Sequence, residues 1–183
     1  PEQADRLLAD SVADVSSVLA DVRRLVHDLR PPALDEVGLV GALEQQVQRF
    51  HVDGDGLDVG LRSSGDLASL PAAVEVAAYR IVSEALTNVT RHARARRADV
   101  TLTRTSDGPE VLELVVADDG SGIDASAPAG VGLVSLRERA AELGGSVSVV
   151  CPPAGGTVVT ARLPVSPRIP AQPTGSASEQ VPA

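Results

Sequence analysis

Residues 111–123 read VLELVVADDGSGI. The positions from Val111 to Val116 are rich in β-branched side chains, a composition that predicts a β-strand. The strand runs into two aspartates, Asp118 and Asp119, and then into two glycines at alternate positions. The segment therefore predicts a strand that ends in an acidic turn, where glycines let the backbone come close to a flat ring.

Further strand candidates on either side of this segment predict a sheet. A turn at residues 106–108 separates it from the preceding candidate, and a Pro- and Gly-rich stretch at 152–156 predicts a second hairpin. The strands are expected at residues 57–61, 98–103, 111–116, 146–150 and 157–163. Hairpins interleaved with helices predict the α/β class, as a two-layer sandwich with a mixed sheet.

The helices are expected at residues 39–50, 71–95 and 134–143. In the long middle helix, Glu84, Asn88 and His92 recur every four residues and therefore share one face. Carboxylate and amide oxygens suit a hard cation such as Mg²⁺. Taken alone, such a stripe is more often a solvated helix face than a metal site.

Glycines also precede the last helix, in the segment Gly130-Val131-Gly132-Leu133. Amides in a glycine-rich turn at a helix N-terminus point at an anion. The small residues at 124–129 before it suit a lid. The segment is not a Walker P-loop, because Gly-Lys-Ser/Thr is absent, and not a dinucleotide fingerprint, because the third glycine is missing.

Asp118 has two interpretations from the residues alone. A carboxylate at a strand end can accept a hydrogen bond from an exocyclic amine, the group that distinguishes adenine from guanine. Alternatively, the segment is an acidic turn or a calcium loop, although the distal glutamate of a calcium loop is absent.

The first 29 residues predict a single helix with a heptad seam. The regular spacing favours packing against a partner helix in an oligomer over an amphipathic helix that lies on its own domain. Arg30-Pro31-Pro32 ends this helix, because proline removes a backbone donor. The seam consists of Leu8, Val12, Val15, Leu19, Val22, Val26 and Leu29.

The composition restricts the partners and the compartment. A formal net charge of -9 disfavours a nucleic acid, which needs a cationic face. The single cysteine, Cys151, agrees with a reducing compartment, and no apolar run is long enough for a bilayer, so a cytoplasmic location is expected. Because the chain starts at Pro1 rather than Met, we expect a piece of a longer protein, whose upstream region could hold a membrane anchor.

The segments at residues 84–92, 115–123 and 130–133 together resemble the GHKL superfamily of ATPases and kinases, as its N box, G1 box and G2 box respectively. The resemblance is closer to two-component sensor histidine kinases of the nitrate-sensor type and covers about residues 10–165. It implies a Bergerat-type mixed sheet with helices on one face. Its signatures are VRRLVHDLRPPALDEVGL at residues 22–39, EALTNVTRH at 84–92 and GLVSLRERAAELGG at 132–145.

The resemblance implies ATP and Mg²⁺ as cofactors and gives roles to individual residues. Asn88 would bind Mg²⁺ and Glu84 would help to hold the ion or its water. Arg91 and His92 would face the phosphates as further catalytic residues, and Arg137 is an additional candidate there. The remaining nucleotide contacts are expected from Asp118 at the adenine amine, Gly120 and Gly122 along the base, Gly130, Gly132 and Leu133 beside the phosphate lid, and Thr157 at the adenine pocket.

The resemblance also implies how the chain is divided. We expect a partial dimerisation domain at 1–30, a linker at 31–37, the ATP-binding catalytic domain at 38–165 and a disordered tail at 166–183. The full protein would be a homodimer that transfers the γ-phosphoryl group of ATP to a histidine and then to a response regulator. That histidine would lie on a helix upstream of this chain, so His27 is not the acceptor, and the chain should bind nucleotide without autophosphorylation.

Other functions remain open at this point. An anti-sigma-type serine kinase shares the nucleotide fold but normally lacks the heptad helix and the Leu-Arg-Pro-Pro element. A non-catalytic nucleotide-binding regulatory module would not need both Asn88 and Asp118. The arginines at 91, 94, 96 and 97 could form a nucleic-acid patch, but the negative net charge of the chain and the preference for cations at a helix C-terminus favour a solvated helix end.

Overall fold

The computed structural model describes residues 30–52, 56–106, 108–123 and 131–165. The expected heptad helix, His27, the lid at 124–129, Gly130 and the tail at 166–183 lie outside these residues. The elements are α1 (Pro32–Val52), β1 (Asp58–Ser64), α2 (Ala72–Asn88), a π-helical turn (Val89–Ala93), β2 (Arg97–Thr105), β3 (Val111–Asp118), α3 (Val131–Glu142), β4 (Ser146–Val150) and β5 (Val158–Pro164).

The strands form one mixed sheet in the order β1-β2-β3-β5-β4. β1 and β2 are parallel, whereas the other three neighbouring pairs are antiparallel. Parallel neighbours need a crossover connection, and here α2 and its π-helical turn supply it. The mixed sheet predicted from the hairpins is therefore confirmed.

One face of the sheet is covered by the helices. In β3, Leu112, Leu114 and Val116 are buried, while the residues between them are only half-buried, as the period of a strand requires. α2 contacts β3 and β5, α1 contacts β1, and α3 contacts β4 and β5. This arrangement confirms the two-layer α/β sandwich.

α1 starts earlier than the sequence predicts. It begins at Pro32 instead of residue 39, and Gly38, with φ 68° and ψ -177°, interrupts its helical backbone. Leu34 before the kink and Leu39 after it are both 2% exposed. The segment expected to be a linker, 31–37, is therefore mostly helical and packs on the core.

α2 ends differently from the sequence prediction of one helix to about Ala95. It passes into the π-helical turn, and Arg94 then adopts a left-handed conformation with φ 51° and ψ 30°. A left-handed residue cannot continue a right-handed helix, so the helical segment ends at Ala93. Among the described residues, no helix combines the length and apolar character needed to cross a membrane.

Candidate functional site

The end of β3 meets the loop before β5 at Asp118. The backbone N–H of Asp118 donates a hydrogen bond to the Thr157 carbonyl oxygen at 3.0 Å. Its carboxylate Oδ1 accepts a hydrogen bond from the Gly120 N–H at 2.8 Å. Asp118 is half-buried and Thr157 is buried behind it. The carboxylate is thus fixed by its own turn at the end of β3.

The turn after Asp118 packs against the end of the α2 segment. The Ser121 N–H donates to the carbonyl oxygen of Ala93 at 2.8 Å. A Cβ on Gly120 would overlap the same carbonyl group, so this approach requires glycine. On the other side, the Gly156 N–H donates to the Gly120 carbonyl oxygen at 2.7 Å. The turn is therefore held between the helix end and the β4–β5 loop.

Gly122 lies beside the same loop. A Cβ placed on Gly122 would lie 3.2 Å from the Gly156 carbonyl oxygen and 3.7 Å from Cys151 Sγ. Cys151 Sγ also accepts a hydrogen bond from the Ile123 N–H at 3.3 Å. The two G1-box glycines expected along the base thus both lie between Asp118 and the β4–β5 loop.

Asp119 has a role that the sequence did not indicate. Its Oδ1 accepts hydrogen bonds from the backbone N–H groups of Arg96 and Arg97, at 2.8 and 2.9 Å. These two bonds hold the pKa of Asp119 below its usual value of 3.8, and the bond from Arg97 lowers it more than the bond from Arg96. The two adjacent aspartates therefore have different hydrogen-bond partners, Asp118 in its own turn and Asp119 at the start of β2.

Glu84 and Asn88 meet the first turn of α3. Both side chains are half-buried on the same face of α2. A Cβ on Gly132 would overlap Glu84 Oε1 and would lie 3.3 Å from both polar atoms of the Asn88 amide. The neighbouring Leu133 is half-buried and packs on the hydrophobic core. The structure thus brings together the N-box residues and the described G2-box residues.

His92 and Arg91 are placed differently from Glu84 and Asn88. Both lie on the π-helical turn and are exposed. A π-helical turn forms i→i+5 hydrogen bonds and is wider than an α-helical one, so His92 does not continue the stripe expected from α-helical spacing. Across the described residues, no group of three or more His, Cys, Asp or Glu side chains could hold a metal ion.

The two halves of the site lie on the same edge of the molecule. Ala93, which contacts Gly120 and Ser121, follows Asn88 by five residues of the π-helical turn, at most about 8 Å along the helix axis. Asp118 lies two residues before Gly120. A ligand that contacts Asp118 can therefore extend toward Asn88 and Gly132.

A groove between α2 and α3 continues from Glu84. It is lined by Tyr79, Arg80, Ser83, Glu84, Thr87, Ser135 and Arg139. Arg137, the arginine chosen from the sequence as a phosphate contact, is exposed and does not line it. Arg139, two helical turns after Gly132, does line it.

The chain is similar in sequence to known histidine kinases. The chain is 32% identical over 167 residues to the signal transduction histidine-protein kinase/phosphatase DegS of Brevibacillus brevis, covering 90% of this chain and 42% of that protein. It is 36% identical over 160 residues to the sensor histidine kinase MctS of Rhizobium johnstonii, covering 85% of this chain and 34% of that protein. The chain therefore spans less than half the length of these relatives.

A solved structure has the same fold. The histidine kinase domain of the blue-light activated histidine kinase of Erythrobacter litoralis EL346 superposes with a TM-score of 0.55 at 25% identity, over 69% of this chain and 64% of that chain. The sequence model of the family of histidine kinase-, DNA gyrase B- and HSP90-like ATPases matches residues 73–167, which contain Asn88, Asp118 and Gly132. Since this match covers more than half of the chain, the protein belongs to that ATPase family.

Proposed function

We propose that this chain is the ATP-binding catalytic domain of a sensor histidine kinase, with ATP bound between Asp118 and Asn88. The observation that carries the proposal is the contact of the Gly120–Ser121 turn with Ala93, at the end of the helix that bears Asn88. This contact joins a base site and a phosphate site across one edge of the sheet. The names of the relatives support the same activity.

Asp118 would select adenine. Its Oδ1 is taken by the Gly120 N–H, whereas Oδ2 has no hydrogen-bond partner among the described residues. Oδ2 can therefore accept a hydrogen bond from the adenine amine, for which guanine offers a carbonyl oxygen instead. Gly120 and Gly122 would line the base, and Thr157 would support Asp118 through its carbonyl oxygen.

Glu84 and Asn88 fit a Mg²⁺ ion that is shared with the phosphates. They offer one carboxylate and one amide oxygen beside Gly132, where a side chain would fill the space. Mg²⁺ prefers a few oxygen ligands from protein and keeps the rest for water and phosphate. Such an ion supplies charge neutralisation for the triphosphate. Gly130, Gly132 and Leu133 would bound the phosphates on the α3 side.

Phosphoryl transfer depends mainly on positioning and charge stabilisation. Residues of this chain would bind and orient ATP, and exposed Arg91 and His92, on the turn that follows Asn88, would face the phosphates. The acceptor histidine would belong to an upstream helix, with a response regulator as the next acceptor. Homodimerisation would use the heptad seam of residues 1–29.

The experiment is an ATP titration with and without Mg²⁺, repeated with GTP. Asp118→Asn should remove most of the preference for ATP over GTP, a loss of about 10- to 100-fold because one hydrogen bond to a charged group is changed. Asn88→Ala should remove the Mg²⁺ dependence and leave adenosine binding intact. Asp66→Asn is the matched control, because Asp66 is an exposed carboxylate at the other end of the sheet. Failure of the wild-type chain to bind ATP would refute the proposal.

A transfer assay tests the kinase step. With γ-labelled ATP, the chain alone should stay unlabelled, and His27→Ala should change nothing. A longer chain that includes the upstream helix should incorporate label that is stable to base and labile to acid, the behaviour of phosphohistidine. Label on serine instead would favour the anti-sigma type of kinase.

A further inference from the structure

We infer that Asp119 is a positioning residue, which holds the adenine-selecting carboxylate of Asp118 at the end of the helix that carries Asn88. The inference rests on the proposed function, because it gives Asp119 a part in nucleotide binding through Asp118. Asp119 itself would not touch ATP. It would act by fixing the turn between the two halves of the site.

Asp119 is joined to the start of β2 by three hydrogen bonds. Its Oδ1 accepts from the N–H groups of Arg96 and Arg97, and its own N–H donates to the Arg97 carbonyl oxygen at 3.2 Å. The anchor lies two residues after Arg94, where the left-handed backbone ends the helical segment. Asp119 therefore ties the β3 end to the place where the chain leaves that segment.

The side chain of Asp119 supplies two of the bonds that connect the turn toward the helix. On the β5 side, Asp118 and Gly120 are held by the Thr157 carbonyl oxygen and the Gly156 N–H. On the helix side, the described residues add the Ser121 N–H bond to Ala93 and the pairing of Asp118 with Ala98 in the β2–β3 ladder. With alanine at position 119, the turn would stay attached to β5 and keep its backbone bonds to Arg97 and Ala93, but it would lose both side-chain bonds to the Arg96 and Arg97 N–H groups. The distance between base site and phosphate site would then be less well fixed, which weakens binding of a ligand that spans both.

The role requires an oxygen acceptor at this position and not a negative charge. A single oxygen accepts both N–H groups, and asparagine offers an oxygen in the same place. A simple ion pair does not explain the arrangement, because the Arg97 guanidinium is bound to Asp99 at 2.8 and 2.9 Å. The conservative Asp119→Asn variant should therefore retain the function that Asp119→Ala loses.

The test compares ATP and GTP titrations, with Mg²⁺, for wild type, Asp119→Ala and Asp119→Asn. We expect Asp119→Ala to raise the Kd for ATP about tenfold and to reduce the ratio of GTP Kd to ATP Kd, because two hydrogen bonds to a charged acceptor are lost. Asp119→Asn should stay within about twofold of wild type in both values. The Kd ratio is informative because any unfolded fraction affects both nucleotides equally.

The matched control is Asp66→Ala. Asp66 also holds a turn, through the Ala68 N–H at 3.1 Å and the Ser69 hydroxyl at 2.6 Å. Its loop follows β1, which is in register with the far end of β2, about 20 Å from Ala98 and its partner Asp118. Asp66→Ala should lower stability without changing the Kd ratio.

The outcomes separate this inference from the proposed function. If wild type does not bind ATP, both fail. If wild type binds ATP and Asp119→Ala behaves like the Asp66→Ala control, only the positioning role is refuted. Equal losses in Asp119→Ala and Asp119→Asn would also refute it, because charge and not geometry would then be required.

Discussion

Gly132, in the first turn of α3, lies against the polar side chains of Glu84 and Asn88 on α2. A Cβ there would overlap Glu84 Oε1, so Gly132→Ala must displace the carboxylate or the first turn of α3. We expect the Kd for ATP in the presence of Mg²⁺ to rise about tenfold, the effect of losing one charged interaction. Stability should change little, because alanine favours the helix by up to about 1 kcal/mol over glycine.

The measurement is calorimetric titration together with thermal unfolding. Val134→Ala, on an exposed position of the same helix, serves as the control and should leave the Kd unchanged. An unchanged Mg²⁺-dependent Kd in Gly132→Ala would show that the contact among Gly132, Glu84 and Asn88 does not hold the phosphates.

The lowered pKa of Asp119 also predicts that the stability of the fold depends on pH. This pKa is lowered in the folded chain by the N–H groups of Arg97 and Arg96, with a smaller effect of the Arg96 charge. A lowered pKa stabilises the fold above the unfolded-state pKa, and this contribution is lost as the pH falls through the folded-state pKa. Asp119→Asn does not titrate, so its free energy of unfolding should fall less steeply than that of wild type between about pH 5 and pH 3.

Urea unfolding followed by circular dichroism at several pH values measures this slope. Asp66 and Asp99 keep their own lowered pKa values in the variant, through Ser69 and Arg97 respectively, so some acid sensitivity will remain. Parallel pH profiles for the two proteins would contradict the assignment.

At the scale of elements, the sequence alone predicts a strand where buried and half-buried residues alternate along the chain. Val111 to Val116 alternate between a buried and a half-buried face, so their strand could be predicted from composition and spacing. The kink at Gly38 and the earlier start at Pro32 could not, because they depend on where Leu34 packs. The parallel pairing of β1 with β2 is likewise a tertiary property, which the sequence left open.

The candidate site, like the fold, could be predicted from the sequence only in part. Motif spacing pointed to Asp118, Glu84 and Asn88, because each residue type suits its chemistry. It did not point to the bonds of Asp119 with Arg96 and Arg97, which join segments more than 20 residues apart. It also placed His92 on the stripe, since a π-helical turn cannot be recognised from 3.6-residue spacing.

The end of the α2 segment offers a test of backbone conformation. Arg94 is exposed and left-handed, a conformation that costs a non-glycine residue about 1–2 kcal/mol. Arg94→Gly removes this cost but gives the unfolded chain more freedom, so we expect a net stabilisation of about 0.5–1 kcal/mol. Arg137→Gly, inside α3, should instead destabilise by about 1 kcal/mol. Urea unfolding of both variants checks the opposite signs, and destabilisation by Arg94→Gly would refute this explanation of the helix end.

At the scale of the molecule, the ion pairs of Arg30 link the start of the described chain to α2. Arg30 contacts Glu75 at 2.6 Å and Asp35 at 2.5 Å. Glu75 is only 8% exposed, so its carboxylate depends on this partner more than a surface residue would. Arg30 is thereby fixed to the first turn of α2, at the opposite end of that helix from Asn88.

The hydrophobic core is continuous from α1 through the sheet to α3, which predicts one cooperative unfolding unit. Leu43 in α1 and Leu136 in α3 are both 0% exposed. Truncating either to alanine should lower the free energy of unfolding by about 2–5 kcal/mol, through lost burial and the cavity left behind. Val134→Ala, on a side chain that is 42% exposed, should change it by less than about 0.5 kcal/mol.

Two probes can test whether the whole fold responds together. Tyr79 is the single tyrosine and the chain has no tryptophan, so tyrosine fluorescence reports on α2 alone, whereas far-UV circular dichroism reports on all elements. Both probes should give the same urea midpoint in wild type, Leu43→Ala and Leu136→Ala, because each cavity weakens the one core that α2 shares with its neighbours. A Leu43→Ala midpoint that moves by circular dichroism but not by Tyr79 fluorescence would mean that α1 unfolds separately and that the core is divided.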